Sequence, residues 1–516
     1  MQSEQMRLSE VFVKAGVSIT IANYASIAIA ALGSIAVARL LGPEGYGLAA
    51  VSLLIPTVMT ALAGFSLSGV LSSVVASETS YSSRRRFYSS ALILVLATSS
   101  ALAFSQIVAS SWLASLLGRR ELAGYLIVLA PYVVGVSTLT VSQAALNGLG
   151  LFHLSAALTL LSTALRVALS ITLVLLGYGV LGFLLGQSLT FLSMGLASVL
   201  IAYRVVGGVE APALSAQAML LARSLPLHAS SIASMIIDSV KTGFLYRVAL
   251  DLEVGNLALA SRLATPIQQI TSALQTAALV ASSRGENSRA LEGFRLAVER
   301  SSLVLVAVAG FLVLSIDLIV EILFGGRFEL APSYFYFIIA PFLLSPLGYQ
   351  LAGSFLVARG RVLEYSRISA TLSLASLPLA IVLTSVAGVY GFLVAQLAMA
   401  VFSALVYAIA IWGRGVVQIL YEGARTISPL LSGIVVGLAF KIILPGAFGT
   451  LLGLIAYTTI IAIALPLVVS SSELSQLGAM LEKLGPPGSL VATVIIAYAR
   501  LADVLWSSEP EEETGR

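Results

Sequence analysis

The chain has no cysteine and only two histidines, His153 and His228, which stand far apart. Disulfides and thiolate ligands are thereby excluded, and a histidine metal centre has nothing to be built from. Charge is scarce as well: 10% of the 516 residues are Asp, Glu, Lys or Arg, against about 25% in soluble domains. With 58% hydrophobic residues the chain is not a soluble domain. Its net charge of +4 then reads as a topology signal and not as a nucleic-acid footprint.

What is present is a succession of apolar runs, each long enough to cross a hydrocarbon core of ~30 Å as a helix. The first follows a mixed-charge start (Glu4, Arg7, Glu10, Lys14), is long and has no cleavage-like site. It is expected to be a retained helix, not a signal peptide. The fold class is therefore an all-α polytopic membrane protein of about fourteen transmembrane helices. We place them near 11–38, 46–76, 89–117, 122–146, 154–177, 180–203, 226–248, 255–282, 301–324, 332–357, 366–386, 390–412, 427–444 and 447–469. Beyond Ser470 an amphipathic stretch and the segment 489–506 are expected at the interface, before a polar, disordered end.

Lys and Arg are distributed unevenly. With the N-terminus inside, 19 fall on the inner side and 6 on the outer (Arg39, Arg119, Arg120, Arg247, Arg327, Lys441). The other 3 of the 28, Arg166, Lys241 and Arg262, lie within helices. This bias predicts both termini in the cytoplasm and an even number of passes.

The chain also repeats itself. Gly45 and Pro56 recur as Gly255 and Pro266, Pro131 as Pro341 and Gly150 as Gly360, all at an offset of 210. GlyArgArgGluLeuAla (118–123) returns as GlyArgPheGluLeuAla (326–331), and GlyPheLeuLeuGlyGln (182–187) as GlyPheLeuValAlaGln (391–396), at 208 and 209. An even number of helices per unit predicts two six-helix lobes of the same orientation, related by a pseudo-two-fold along the membrane normal. The expected organisation is 1–206 as the N-lobe with helices 1–6, 207–225 as a cytoplasmic linker and 226–412 as the C-lobe with helices 7–12. Helices 13 and 14 fill 413–469, and 470–516 is a cytoplasmic tail.

Two helices carry charge where a membrane helix should carry none. Ser231, Ser234, Asp238, Lys241 and Thr242 share a narrow face of helix 7, and Arg262, Thr265, Gln269, Ser272, Thr276 and Ser283 share one of helix 8. A charge at mid-bilayer costs at least ~2.5 kcal/mol on insertion scales, so such stripes line a wet cavity or meet a partner. Asp238 and Lys241, three apart, either pair with each other or serve in transport, Asp238 carrying a coupling ion (H+ or Na+) beside a substrate-binding Lys241. Arg262 favours contact with a phosphate, which guanidinium grips with two bonds, over an ion pair with Asp238. Gln269 stands on the same stripe, and Asn23 and Tyr24 add polar groups from helix 1. Arg166, on a stripe with Ser155, Thr159, Ser162 and Ser170, lines the cavity or anchors helix 5. Asp238, Lys241, Arg262 and Arg166 sum to +2, which suits an anionic head group. One repeat earlier stand Ala28, Ala31 and Ser52, so the first lobe is the more apolar. Pro56 and Pro266, at matching places, read as paired hinges or as static kinks.

AlaArgLeuLeuGlyProGluGlyTyrGly (38–47) resembles the signature of polysaccharide flippases in the multidrug/oligosaccharidyl-lipid/polysaccharide (MOP) superfamily. So do Asp238, ValGlyAsnLeuAlaLeuAla (254–260), LeuPheGlyGlyArgPhe (323–328) and ValAlaArgGlyArg (357–361), with Asn256 where tyrosine is usual. The resemblance covers about residues 8–412 and implies a MATE-type fold with a central cavity lined by helices 1, 2, 7 and 8. By implication the protein is a multi-pass protein of the cell membrane that moves polyprenyl- or dolichyl-linked oligosaccharide outward by alternating access. It would do so as a monomer among membrane lipids, without cofactor or metal. A drug/cation antiporter of the same fold is the alternative, and favours a net acidic cavity instead. A membrane glycosyltransferase would need acidic outer loops; here Glu44, Asp251, Glu253 and Glu329 are scattered over short ones.

Overall fold

The structure, a computed structural model, describes residues 2–208, 210–283 and 287–464, together with positions 478, 493, 496 and 497. The expected interfacial tail from Ser470, and Arg284, lie outside the described residues. All the elements described are helical. In chain order the first are α1 (Gln2–Gly64), α2 (Leu67–Ser77), α3 (Tyr81–Val108), α4 (Ser110–Leu116), α5 (Leu122–Val128), α6 (Ala130–Gly148) and α7 (Phe152–Leu173). There follow α8 (Gly179–Val206), α9 (Leu214–Val248), α10 (Asp251–Leu263), α11 (Thr265–Ser282) and α12 (Asn287–Phe324). The last are α13 (Ala331–Ile339), α14 (Tyr349–Ala358), α15 (Val362–Trp412), α16 (Val416–Ile443) and α17 (Ala447–Ala464).

The longest helices are broken ones. Gly42, at φ 70° and ψ 178°, interrupts α1 just before Pro43. Gly177 and Gly179 turn the chain between α7 and α8, and Ala387 and Gly388 do so inside α15. The apolar stretches that contain these breaks run 54, 55 and 51 residues, each enough for two passes at about 20 residues a pass. Among the described residues 8 helices are long and apolar enough to span, or 9 if the bent pair Ala331–Leu347 and Tyr349–Ala358 is one span. Neither α9 nor α11 is among them, since their polar faces dilute the apolar runs. With those two counted and the broken helices taken twice, the structure is consistent with about fourteen passes.

The duplication is written into the backbone. Gly118 and Gly326 have φ of 72° and 75°, Gly150 and Gly360 of 75° and 72°, Gly179 and Gly388 of 52° and 57°. Left-handed conformations like these are open to glycine and costly to residues with a Cβ. Three pairs at offsets of 208 to 210 therefore fix equivalent turns in both repeats.

The chain folds into two compact units. The first comprises Met1–Leu259, Arg327–Glu329 and Ser373–Phe392; the second comprises Ala260–Gly326, Leu330–Leu372 and Leu393–Arg516. In the first, Leu67, Leu71, Val75, Tyr88 and Ala145 close a core shared by α2, α3 and α6, and the Tyr88 and Ser142 hydroxyls hydrogen-bond at 3.3 Å. In the second, Phe294 packs on Phe355 and stacks on Trp412. There α16 and α17 approach backbone to backbone: a Cβ on Gly453 would lie 2.6 Å from the Gly437 carbonyl oxygen. Lipid offers no hydrophobic drive to join helices, so small residues that permit such contact supply the adhesion.

Candidate functional site

Helix α9 enters the first unit and packs on α1, α2 and α3. Three residues apart on it, Asp238 and Lys241 are paired at 2.7 Å, and Lys241 also donates to the Ser376 hydroxyl at 2.9 Å. The two partners differ in environment. The Lys241 side chain is 6% exposed, whereas that of Asp238 is 66% exposed. A buried ammonium is thus neutralised by a carboxylate that keeps an oxygen for something else. The pairing of Asp238 with Lys241, one of the two readings open from the sequence, is thus present. Ser376 belongs to the segment of α15 within the same unit, so the ammonium also ties α9 to α15.

Arg262, Pro266 and Gln269 belong to the second unit. The helix breaks at Ala264, so Pro266 stands in the first turn of α11, where a missing N–H costs little. Helix α11 is two-faced. Ile267, Thr271 and Ala278 are buried, while Gln269, Ser272 and Thr276 are exposed. Ser272 and Thr276 donate to carbonyls one turn back, at 3.0 and 3.1 Å. Free hydrogen-bonding capacity on this face is therefore concentrated in Gln269 and, at the last turn of α10, in the exposed Arg262. Among the described residues no carboxylate pairs with Arg262.

The other expected site residues are placed less tellingly. Arg166 is half-buried on α7 and has a partner. Tyr24 is half-buried on α1, and the side chain of Asn23 lies outside those described, as do those of His228 and Ser231. Pro56 is buried within α1, which runs on through it.

A second charged cluster lies in the second unit. Lys441, counted from the sequence with the outer-face cations, sits in the last turn of α16 and forms an ion pair with Asp317 of α12. Tyr336 of α13 donates to Asp317 at 2.9 Å and accepts from Lys441 at 2.8 Å. These three groups and Glu321 border a cavity of about 630 Å³ with otherwise mostly apolar walls, among them Leu343, Ile434 and Leu438. The signal was available: Asp317 interrupts LeuValLeuSerIleAspLeuIleVal (312–320), and an intramembrane carboxylate calls for a partner. Nothing in the sequence named Lys441, 124 residues on, as that partner.

This architecture has known counterparts. The lipid II flippase MurJ in an inward closed conformation is similar over 87% of this chain and 99% of its own, with a TM-score of 0.70 at 14% identity. An inward-facing multidrug-resistance MATE transporter of the MOP superfamily is similar over 80% of this chain and 99% of its own, with a TM-score of 0.59 at 19% identity. A MOP superfamily transporter from Pyrococcus furiosus, described as having a binding pocket of reverse polarity, is similar over 78% of this chain and 96% of its own, with a TM-score of 0.54 at 16% identity. These likenesses establish the MATE-type fold of a multi-pass membrane protein. No curated protein sequence matches the chain. A family model does, over residues 36–331 and hence more than half the length, and by it the chain belongs to the polysaccharide biosynthesis protein family.

Proposed function

We propose that the protein flips a polyprenyl- or dolichyl-phosphate- or pyrophosphate-linked oligosaccharide from the inner to the outer leaflet of the cell membrane by alternating access. Membership of the polysaccharide biosynthesis family supports this reading, as does the fold shared with a lipid II flippase. The observation that carries it is Arg262: an exposed guanidinium in the last turn of α10 that pairs with no carboxylate among the described residues. A phosphate offers the two parallel acceptors that such a fork fits. Gln269, on the same face two turns away, binds the sugar-phosphate portion. Lys241 acts on Asp238, holding it in place, and Asp238 presents its exposed oxygen to a coupling H+ or Na+. Arg166 and Asn23 are further side chains assigned to substrate binding, and Pro56 and Pro266 are the places where the helices flex. The termini are cytoplasmic and the monomer is the working unit.

The test uses purified protein in sealed vesicles, with a fluorescent polyprenyl-phosphate sugar in one arm and a cationic dye in the other. Outward movement of the glycolipid, slowed by removing Arg262, supports the proposal. Movement of the dye alone, driven by an ion gradient, would show the antiporter reading to be right instead.

A further inference from the structure

Within the first unit the structure assigns a duplicated clasp at the ends of α1's first half and of α9. Both ends have carbonyls that the helix cannot satisfy. The Arg39 carbonyl would bond the N–H four residues on, but that residue is Pro43. The chain leaves α9 in extended conformation at Ala249, which frees the carbonyls there. Arginines from outside these helices fill both positions. Arg327 donates to the Arg39 carbonyl at 3.2 Å. Arg119 donates to the Tyr246 carbonyl and, at 2.9 Å, to that of Ala249.

The four residues are related by the repeat. Arg119 and Arg327 are 208 apart, Arg39 and Ala249 are 210 apart. Each arginine follows a left-handed glycine, Gly118 or Gly326, and each holds the first helix of the opposite repeat. The contact between the helices that follow is reciprocal too. A Cβ on Gly47 would run into the Asp251 carbonyl and come within 2.7 Å of the Gly255 nitrogen. A Cβ on Gly255 would run into the Pro43 carbonyl and come within 3.0 Å of the Gly47 nitrogen. Each glycine thus meets the carbonyl four residues before the other, Asp251 before Gly255 and Pro43 before Gly47. Tyr46 packs edge-on against Phe328, ring centroids 6.2 Å apart, and both are buried.

The two halves of the clasp are unequal. Asp251 stands 2.8 Å from the Arg119 guanidinium, while among the described residues no carboxylate pairs with Arg327. That Asp251 oxygen lies off the N–H direction, and so it adds charge attraction without a hydrogen bond. A cation at a helix C-terminus is favoured by the helix dipole in any case. All these groups lie at the face assigned as outer from the Lys/Arg bias. The clasp joins residues of both repeats there, and it must part before that face can open. Arg119 and Arg327 are positioning residues: their grip sets the fraction of molecules open to the outside, and Arg119 is the stronger of the two. This rests on the alternating-access reading proposed above.

The cysteine-free chain makes the test direct. Ser52, fully buried one repeat before Arg262, is replaced in S52C as a reporter, and Ser198, equally buried on α8, in S198C as a control. Each is labelled in sealed vesicles with a membrane-impermeant maleimide added outside. Arg119→Ala should speed S52C labelling about tenfold and Arg327→Ala about threefold, with the double variant fastest, as weakening a two-state latch shifts its population. Arg119→Lys should recover only part of the difference, since an ammonium cannot span both carbonyls. S198C should not respond; a rise at both positions would be unfolding and would overturn the assignment, as would no rise at S52C. In a second measurement, Arg119→Cys with Asp251→Cys, joined by a bifunctional thiosulfonate, should stop glycolipid flipping until a reductant is added. Labelling needs no substrate, so the two readings fail separately. If S52C responds while the wild type does not flip glycolipid, the functional proposal falls and the clasp stands. If flipping is normal and both the label and the cross-link are without effect, the clasp falls alone.

Discussion

Gly150 and Gly360 hold the same left-handed turn one repeat apart, yet Ser52 and Arg262, also one repeat apart, have nothing in common. Ser52 is wholly buried, with its hydroxyl bonded at 2.7 Å to the Leu48 carbonyl of its own helix. Arg262 is exposed and unpaired by carboxylate among the described residues. Likewise Asp238 and Lys241 stand where the first repeat has Ala28 and Ala31. Duplication thus preserved the turns that route the chain and left the helix faces between them free to diverge. At these positions only the second repeat carries ionisable groups, and each costs at least ~2.5 kcal/mol without a partner or a wet surround.

Paired substitutions can break this contrast. The largest effect is expected at Arg262: Arg262→Gln should reduce flipping to the rate of protein-free vesicles, whereas Ser52→Ala should leave it within about twofold, because a charged bidentate contact is far stronger than a helix-internal hydroxyl bond. Equal losses at both positions would remove the asymmetry between the repeats. Next comes the pair in α9. Asp238→Asn strands a buried ammonium and should cost about 3 kcal/mol of stability, while Lys241→Met leaves a carboxylate that is already exposed and should cost about 1 kcal/mol. Thermal unfolding in detergent reads both, and the reverse order would show that the burden of burial lies on the carboxylate. The smallest effects sharpen the other side of the comparison. Gly150→Ala and Gly360→Ala meet no atom within 4 Å, so each should cost only the left-handed penalty, about 1 kcal/mol, and the two costs should match. Unequal costs would mean that the turns are not equivalent.

Much of the architecture was legible from residues alone, because a membrane demands long apolar helices and glycine alone tolerates certain turns. The repeat emerged from Gly150 and Gly360 and from the GlyArg-x-GluLeuAla pair, and the backbone angles agree at 118 and 326 and at 150 and 360. A third pair, Gly179 and Gly388, lies just ahead of the matched 182–187 and 391–396 and shows itself only in the backbone angles. The Asp238–Lys241 pair was readable as well, since partners three apart on one helix meet whatever the rest of the chain does. By contrast, Asp317 and Lys441 meet only because α12 and α16 pack. Pro266 shows the same limit on a smaller scale: its sequence marks a bend, and the structure makes it the first turn of a new helix, α11.

Residues alone establish a helical membrane protein built from a duplicated unit, with the in-helix charges Asp238, Lys241 and Arg262 in the second copy. Those properties follow from composition, periodicity and spacing, which act along the chain. Tertiary structure decided which charges are spent on each other and which remain available. Lys241 is buried against Asp238 and Ser376, Lys441 is bound to Asp317 and Tyr336, Arg119 is folded onto the end of α9, and Arg262 is left exposed. The physical reason is that an ion pair depends on distance in space and on the water removed around it, and neither is set by position along the chain.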